Sequence, residues 1–345
     1  LPGNYKNNKV NEKEIYTGKT ELFEANTYLP VGYTYDSYVP RSEFEKMNVE
    51  DKQEVMLQGA VTEASSLPVT VYEKENKSIF EDIIAMDNVT IEGDLIKAGD
   101  NGSITVKIDP LDDAELYCII DDITFEGLAP QKLRNEEEWE TYSEEKKNRI
   151  IRSEKYKDAV NSCEIAVETG DVEKIAKYRR PDHQYYTGMD GFLINLGYQN
   201  DADKEMKVTF KEPGIYTFGR FDVVSQPLGN LDSRLEKLKE DSLKNIHIGV
   251  NEITGTLDLE KQKLLCMSVP YSTGWKAYVD GIETPVKNVN VMYMGIEVNK
   301  GHHDIRFVYR TPFWGIKEGL CVLGLLMVLI FFIIYQRRKG PEVKG

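Results

Sequence analysis

Seventeen consecutive residues without a charge, Gly319 to Tyr335 (GLCVLGLLMVLIFFIIY), constrain this chain more than any other stretch. As a helix they cover roughly 25 Å, a little less than a hydrocarbon core of about 30 Å. Extension back through Phe313-Trp314-Gly315-Ile316 supplies the remaining length, with Lys317 and Glu318 at the interface and Lys317 snorkelling outward. Trp314 and Tyr335 then fall at the two headgroup levels, where amphipathic rings are favoured. A buried core helix of a soluble domain is the competing reading. Gln336-Arg337-Arg338-Lys339 argues against it, because a basic cluster directly after an apolar run is the usual cytoplasmic flank of a span. A transmembrane helix is therefore expected over 313–336, with residues 1–312 outside the cell and a cytoplasmic tail at 337–345. No signal peptide or second apolar run precedes it, so the chain is expected to be the C-terminal part of a longer membrane protein.

The rest of the composition suits a folded ectodomain. The sequence is 41% hydrophobic with 20 tyrosines, which favours β-rich structure over disorder. A net charge of −15 makes nucleic acid an unsuitable partner, since binding it means neutralising phosphates with Lys and Arg. Between Glu81 and Glu126 thirteen acids face only Lys97 and Lys107. Asp112, Asp113, Glu115, Asp121 and Asp122 cluster there, but without the D-x-D-x-D-G loop of a calcium site, so a solvated acidic face is the better reading. Cys118, Cys163, Cys266 and Cys321 lack metal-site or redox spacing, and no metal is expected. Buried free thiols are preferred at Cys118 and Cys163, with a disulfide between them as the alternative.

The periodicity predicts a mainly β chain: antiparallel, jelly-roll-like β-sandwich domains with a helical insertion and one C-terminal transmembrane helix. Residues 1–57 read as the end of a truncated α/β extracellular domain. Within it, short strands flank Thr17-Gly18-Lys19-Thr20, Leu29 to Asp36 is extended, and an amphipathic helix starts near Ser42. Residues 58–243 read as a sandwich with period-two strands at Val69–Tyr72, Val89–Glu92, Ile104–Ile108, Leu116–Ile120, Phe192–Gly197 and Met206–Phe210. Its stretch at about 131–180, with twelve bases and twelve acids, reads as an exposed helical insertion. Leu228 to Leu243 has helical leucine spacing. Residues 244–312 form a small membrane-proximal sandwich. Lys263–Pro270 is one strand, and Trp275–Val279 pairs with Ile282–Val286 over an Asp280-Gly281 type I′ turn. Met292–Val298 and His303–Tyr309 are expected as a second hairpin over Asn299-Lys300-Gly301.

Two stretches carry a family resemblance. The run Val269-Pro270-Tyr271-Ser272-Thr273-Gly274-Trp275-Lys276-Ala277-Tyr278-Val279-Asp280-Gly281 resembles the signature of the YfhO family of bacterial membrane proteins. Gly301 to Arg310 (GHHDIRFVYR), followed by a terminal membrane helix, fits the same family. Leu29 to Tyr33 and Tyr185 to Phe218 are similar to its less distinctive blocks, and the charged stretch at 131–180 departs from it. The resemblance implies a polytopic glycosyltransferase of the GT-C type, taking a sugar from a polyprenyl-phosphate donor. It implies attachment outside the cell to a wall polymer such as lipoteichoic acid. The family's catalytic carboxylate lies in the N-terminal membrane region, so none is carried over to this chain, which itself needs no cofactor. The chain is then expected to position the acceptor. A membrane-anchored carbohydrate-binding or adhesion module without catalytic activity is the alternative, and a receptor ectodomain is disfavoured by the ten-residue tail.

The residues themselves show no catalytic constellation. His302 and His303 are adjacent, and strand alternation sends them to opposite faces. Sugars bind by laying apolar ring faces on aromatic side chains while polar groups hold the hydroxyls. Tyr33, Tyr35, Asp36 and Tyr271 are the acceptor-binding candidates on that ground. Gly274, Trp275, Asp280 and Gly281 are read as a structural motif, with Trp275 on the core face beside Ala277 and Val279.

Overall fold

The structure, a computed structural model, describes residues 28–127, 141–199 and 204–338. The strands expected around residues 17–20, the start of the charged stretch and the tail after Arg338 lie outside the described residues. The chain divides into two compact units that interleave in sequence. The first takes Lys46–Leu57 and Val71–Glu236; the second takes Leu29–Glu45, Gln58–Thr70 and everything from Lys237. A border falls between Leu57 and Gln58, and the last one lies between Glu236 and Lys237 where 243 was expected; the units interleave where consecutive domains were expected. Gly32–Tyr35 belongs with the second unit because it pairs antiparallel with Lys263–Pro270. The helix expected from Ser42 is two short ones, Arg41–Phe44 and Val49–Val55, broken where the chain passes between units.

In the first unit two antiparallel sheets share one core. One runs Val172–Tyr178, Cys163–Thr169, Glu205–Phe210, Leu95–Ile108, Gly214–Thr217, Thr124–Gly127, with Phe80–Glu92 along the Leu95–Ile108 strand. The other runs Phe192–Gln199, Ala114–Asp121, Arg220–Pro227, Lys77–Ser78. Alternation sends Leu116, Cys118 and Ile120 inward to meet Ile165, Val167, Val208 and Phe210, while Glu115 and Tyr117 take the opposite face of their strand. Val69–Tyr72 is not a strand: Val69 makes one isolated bridge to Tyr38, and Val69 and Val71 are exposed.

The charged stretch is only partly helical. Glu144–Ile151 and Glu154–Asn161 are helices capped by Ser143 and Ser153, whose hydroxyls accept from the amides of Lys146 and Tyr156. Cys163–Thr169 and Val172–Tyr178 are instead a hairpin that extends the larger sheet. Charges on the outward face of this hairpin mask the inward alternation of Cys163, Ile165 and Val167. Arg180 follows it, buried, and donates to Asp158 Oδ1 at 3.0 Å and to Glu154, which ties the second helix to the sheet. Leu228–Leu243 shortens to a Leu231–Lys239 helix with Leu235 and Leu238 buried.

The second unit also pairs two sheets: Gly32–Tyr35, Lys263–Pro270, Tyr293–Val298, Lys287–Val289, and Lys244–Ile248, Glu252–Leu259, Gly301–Tyr309, Trp275–Val279, Ile282–Thr284. Leu265, Met294, Ile296, Leu257, Ile305 and Phe307 fill the space between them. Tyr293–Val298 and Gly301–Tyr309 do not form the expected hairpin. The first pairs with Lys263–Pro270 and the second with Glu252–Leu259 and Trp275–Val279. The short turn between them carries the chain from one sheet to the other, and period two reads alike in either arrangement. The Asp280-Gly281 turn is as expected, with φ of +52° and +81°. No atom lies within 4 Å of a Cβ built on Gly281, so a substitution there meets only backbone strain. Gly281→Val is expected to cost about 1–3 kcal/mol, because a β-branched residue strongly disfavours positive φ. A melting temperature equal to that of the unaltered chain would contradict the turn.

The last helix, Trp314–Arg338, is 25 residues long, or roughly 37 Å. Within it Lys317–Tyr335 has a mean hydropathy of 2.5 and no residue buried against the protein. Leu325, Val328 and Phe331 are all exposed. Length and composition suit a membrane span.

Candidate functional site

The sequence candidates occupy different environments in the second unit. Tyr33 and Tyr35 are 4% and 2% exposed, so neither presents a ring face to an external sugar; this corrects their assignment as contact residues. Their burial follows from the antiparallel pairing of Gly32–Tyr35 with Lys263–Pro270 at the core. The two rings meet edge to face at 5.6 Å, and Asn290 Nδ2 donates to the Tyr35 hydroxyl at 2.8 Å. Burial raises the pKa of both phenols, with the Cys266 charge adding to it for Tyr33 and the Tyr33 charge for Tyr35. Asp36 forms ion pairs with Lys263 and Lys261, each at 3.0 Å. Burial pushes its carboxyl up, but the two ammonium groups outweigh burial and hold it below the usual carboxylate range.

Tyr271 is accessible. It begins the loop after Lys263–Pro270, and its amide donates to Met292 O at 2.8 Å. Trp275 is half-buried against Tyr309, ring centroids 5.1 Å apart, on the face that buries Ala277. Gly274 lies against the chain leaving for the membrane helix. A Cβ there would sit 2.4 Å from Arg310 O and 2.7 Å from the Tyr309 ring. Asp280 accepts from Asp304 N at 2.8 Å and lies 2.7 Å from His303 Nδ1, contacts that lower its pKa. His302 lies 2.6 Å from Asp258 instead, so the two imidazoles point to opposite faces. Among the described residues, no three His, Cys, Asp or Glu side chains are grouped to hold a metal. Cys118 and Cys163 are separate buried thiols.

The first unit contains a cleft of about 970 Å³ that sequence reasoning missed. It lies where the Val172–Tyr178 and Phe192–Gln199 strands approach, and Glu115, Tyr117, Lys174, Lys177, Phe192 and Asn195 line it. Tyr117 donates its hydroxyl to Glu115 Oε2, and Glu115 Oε1 is buried with no hydrogen-bond partner among the described residues. The strand on one wall bulges between Asn195 and Gly197. Gly197 has φ +90° and donates its amide to Asn195 Oδ1 at 2.7 Å. A ring face, a carboxylate, an amide and two lysines around one opening suit a polyhydroxylated ligand. The available signal was Gly197 inside a strand pattern, which marks a bulge or a close approach.

The family profile described as "Bacterial membrane protein YfhO" matches residues 3–322. The "Uncharacterized protein YfhO" of Bacillus subtilis (strain 168) is 21% identical over 158 residues, which are 46% of this chain and 17% of that protein. Among solved structures, the arabinofuranosyltransferase AftD from Mycobacteria aligns over 66% of this chain and 22% of its own, at 11% identity and a TM-score of 0.21.

Proposed function

Because this chain belongs to the YfhO family of bacterial membrane proteins, we propose that it is the extracellular, non-catalytic part of a polytopic glycosyltransferase and positions the polymer that receives the sugar. In this reading the parent protein draws the sugar from a polyprenyl-phosphate donor and attaches it to a wall polymer such as lipoteichoic acid. One observation carries the assignment of roles: the second unit leads into the apolar Trp314–Arg338 helix through only 310–313, at the end of the Gly301–Tyr309 strand. A lipid-linked donor reacts close to the membrane surface, and a folded unit fixed there brings an acceptor within reach. Holding the acceptor turns an encounter into an effectively unimolecular step. The basic residues after Tyr335 favour a cytoplasmic tail and hence an outward-facing chain. Tyr271 is the contact candidate that remains accessible, and the cleft beside Glu115 is a further one.

The purified chain is expected to show no turnover with wall-polymer fragments and a lipid-linked sugar. Removing its folded units from the full-length parent, with the helix retained, is expected to abolish or weaken transfer. Turnover by the chain alone would refute the division of labour. Full activity of a correctly inserted deletion mutant would show that acceptor positioning lies elsewhere. In that case the anchored carbohydrate-binding module becomes the better reading.

A further inference from the structure

The two ends of the second unit differ in chemistry. The Gly301–Tyr309 strand runs toward the membrane helix, and its last residue marks the near end. There Tyr309 N donates to Asn251 O at 2.8 Å and Tyr309 pairs with Trp275, so loops 249–251 and 271–274 sit at that end. The Tyr271 amide on Met292 O brings loop 290–292 beside them. The segments 248–251, 271–274 and 290–292 contain no charged side chain themselves, and the charge beside loop 290–292 is Arg41, which donates to Val291 O at 3.4 Å and pairs with the exposed Glu63. Ile248, Val250, Tyr271, Val291, Met292 and Phe313 are instead exposed, Val250 at 99%. Val291 and Phe313 both have positive φ, +69° and +62°, a conformation that large apolar residues rarely adopt.

The far end carries Glu260-Lys261-Gln262, Asp280-Gly281 and Asn299-Lys300, which is the ordinary composition of turns in water. Its single exposed large apolar residue among those turns and their flanks is Ile282. A contiguous set of exposed apolar loop tips marks an interaction surface. Here the surface surrounds the point where the chain departs for a membrane span, which identifies its occupant. We propose that the near end of this unit inserts its loop tips into the headgroup layer of the bilayer crossed by its own helix. Tyr271 then takes the interfacial position that amphipathic rings favour, and the exposed Arg310 meets anionic headgroups.

The inference rests on the membrane reading, and one experiment separates the two. The full chain is reconstituted into vesicles of phosphatidylcholine and phosphatidylglycerol, with or without lipids carrying a spin label near the headgroup. An environment-sensitive fluorophore is attached to Val250→Cys, Met292→Cys or Ile282→Cys in a Cys321→Ser background; the other three thiols are buried. The label at 250 and 292 is expected to emit at shorter wavelength than at 282 and to be quenched about twofold by the spin-labelled lipid, while 282 stays unquenched. Ile248→Cys replaces either position if that variant fails to insert. Water-like emission at 250 and 292 would overturn the docking. So would a wavelength shift without lipid quenching, which would place a protein surface there. Native Cys321, labelled in the unaltered chain and probed with lipids spin-labelled deep in the acyl chain, tests the span itself. Quenching at Cys321 but not at the loops sinks only the docking, whereas no quenching at Cys321 sinks the membrane reading.

Discussion

Lys263→Ala is expected to destabilise the second unit by about 3 kcal/mol, near the lower end of what breaking a buried ion pair costs. The Lys263 side chain is 4% exposed, with Nζ 3.0 Å from Asp36 Oδ1 and 2.7 Å from Asp241 Oδ2. Truncation leaves two half-buried carboxylates without their shared buried cation, although Asp36 keeps Lys261. The same cluster sets a pH dependence. The Asp36 carboxyl lies below its ordinary range in the folded chain, so its stabilisation is present above the unfolded value of about 4 and is lost as pH falls through the lower folded value. Burial lowers the Lys263 pKa, but Asp241 and Asp36 outweigh it and raise it overall. Its contribution is therefore complete below about pH 10 and is lost as pH rises through the raised folded value. Urea titrations followed by Trp275 fluorescence should show a lower midpoint for Lys263→Ala and a shallower acid dependence than in the unaltered chain. An unchanged midpoint would show that the pairs contribute nothing.

Asn290→Ala should be comparably damaging, at about 3 kcal/mol. Asn290 is buried in the left-handed region at φ +49°, where asparagine is tolerated and alanine is strained by roughly 1–2 kcal/mol. Its Oδ1 accepts from Val61 N at 2.9 Å, its Nδ2 donates to Tyr35, and its own amide donates to Val61 O at 2.9 Å. Removing the side chain leaves the buried Val61 amide unpaired, at a cost of about 1–3 kcal/mol. Asn290→Gly separates the terms, since it relieves the backbone but not the lost hydrogen bonds. Its urea midpoint is expected between those of alanine and the unaltered chain. Equal midpoints for glycine and asparagine would mean that the side-chain bonds do not matter.

What was legible in the sequence shares one property: it depends on neighbours along the chain. The membrane helix is a run of apolar residues with a basic flank. The Lys263–Pro270 strand and the Asp280-Gly281 turn are set by alternation and by a residue able to take positive φ. What was illegible depends on partners far away. Nothing local to Tyr33 and Tyr35 shows that Lys263–Pro270 lies alongside them, so two aromatic rings beside an acid looked available to a sugar. Nothing local to Tyr293–Val298 shows whether the next strand will pair with it or face it across a core. Glu115 read as one more acid of a solvated face, because its burial is set by Tyr117 on its own strand and by elements distant in sequence. Of the contact candidates, Tyr271 kept its exposure because it lies in a loop just past the end of the Lys263–Pro270 strand, beyond the core.

The absent side chain at Gly274 has a mechanical consequence. Its position lets the start of the Trp275–Val279 strand press against Arg310 and Pro312, and Arg310 N donates back to Gly274 O at 2.9 Å. The junction is thus held on both sides, and Pro312 removes one torsion from the few that remain. A joint this short and this crowded has little slack to absorb rotation. In the membrane reading, tilting of the helix, as when a bilayer thins or thickens around it, is expected to reach the strands, with the apolar rod as a lever on the sheets it carries.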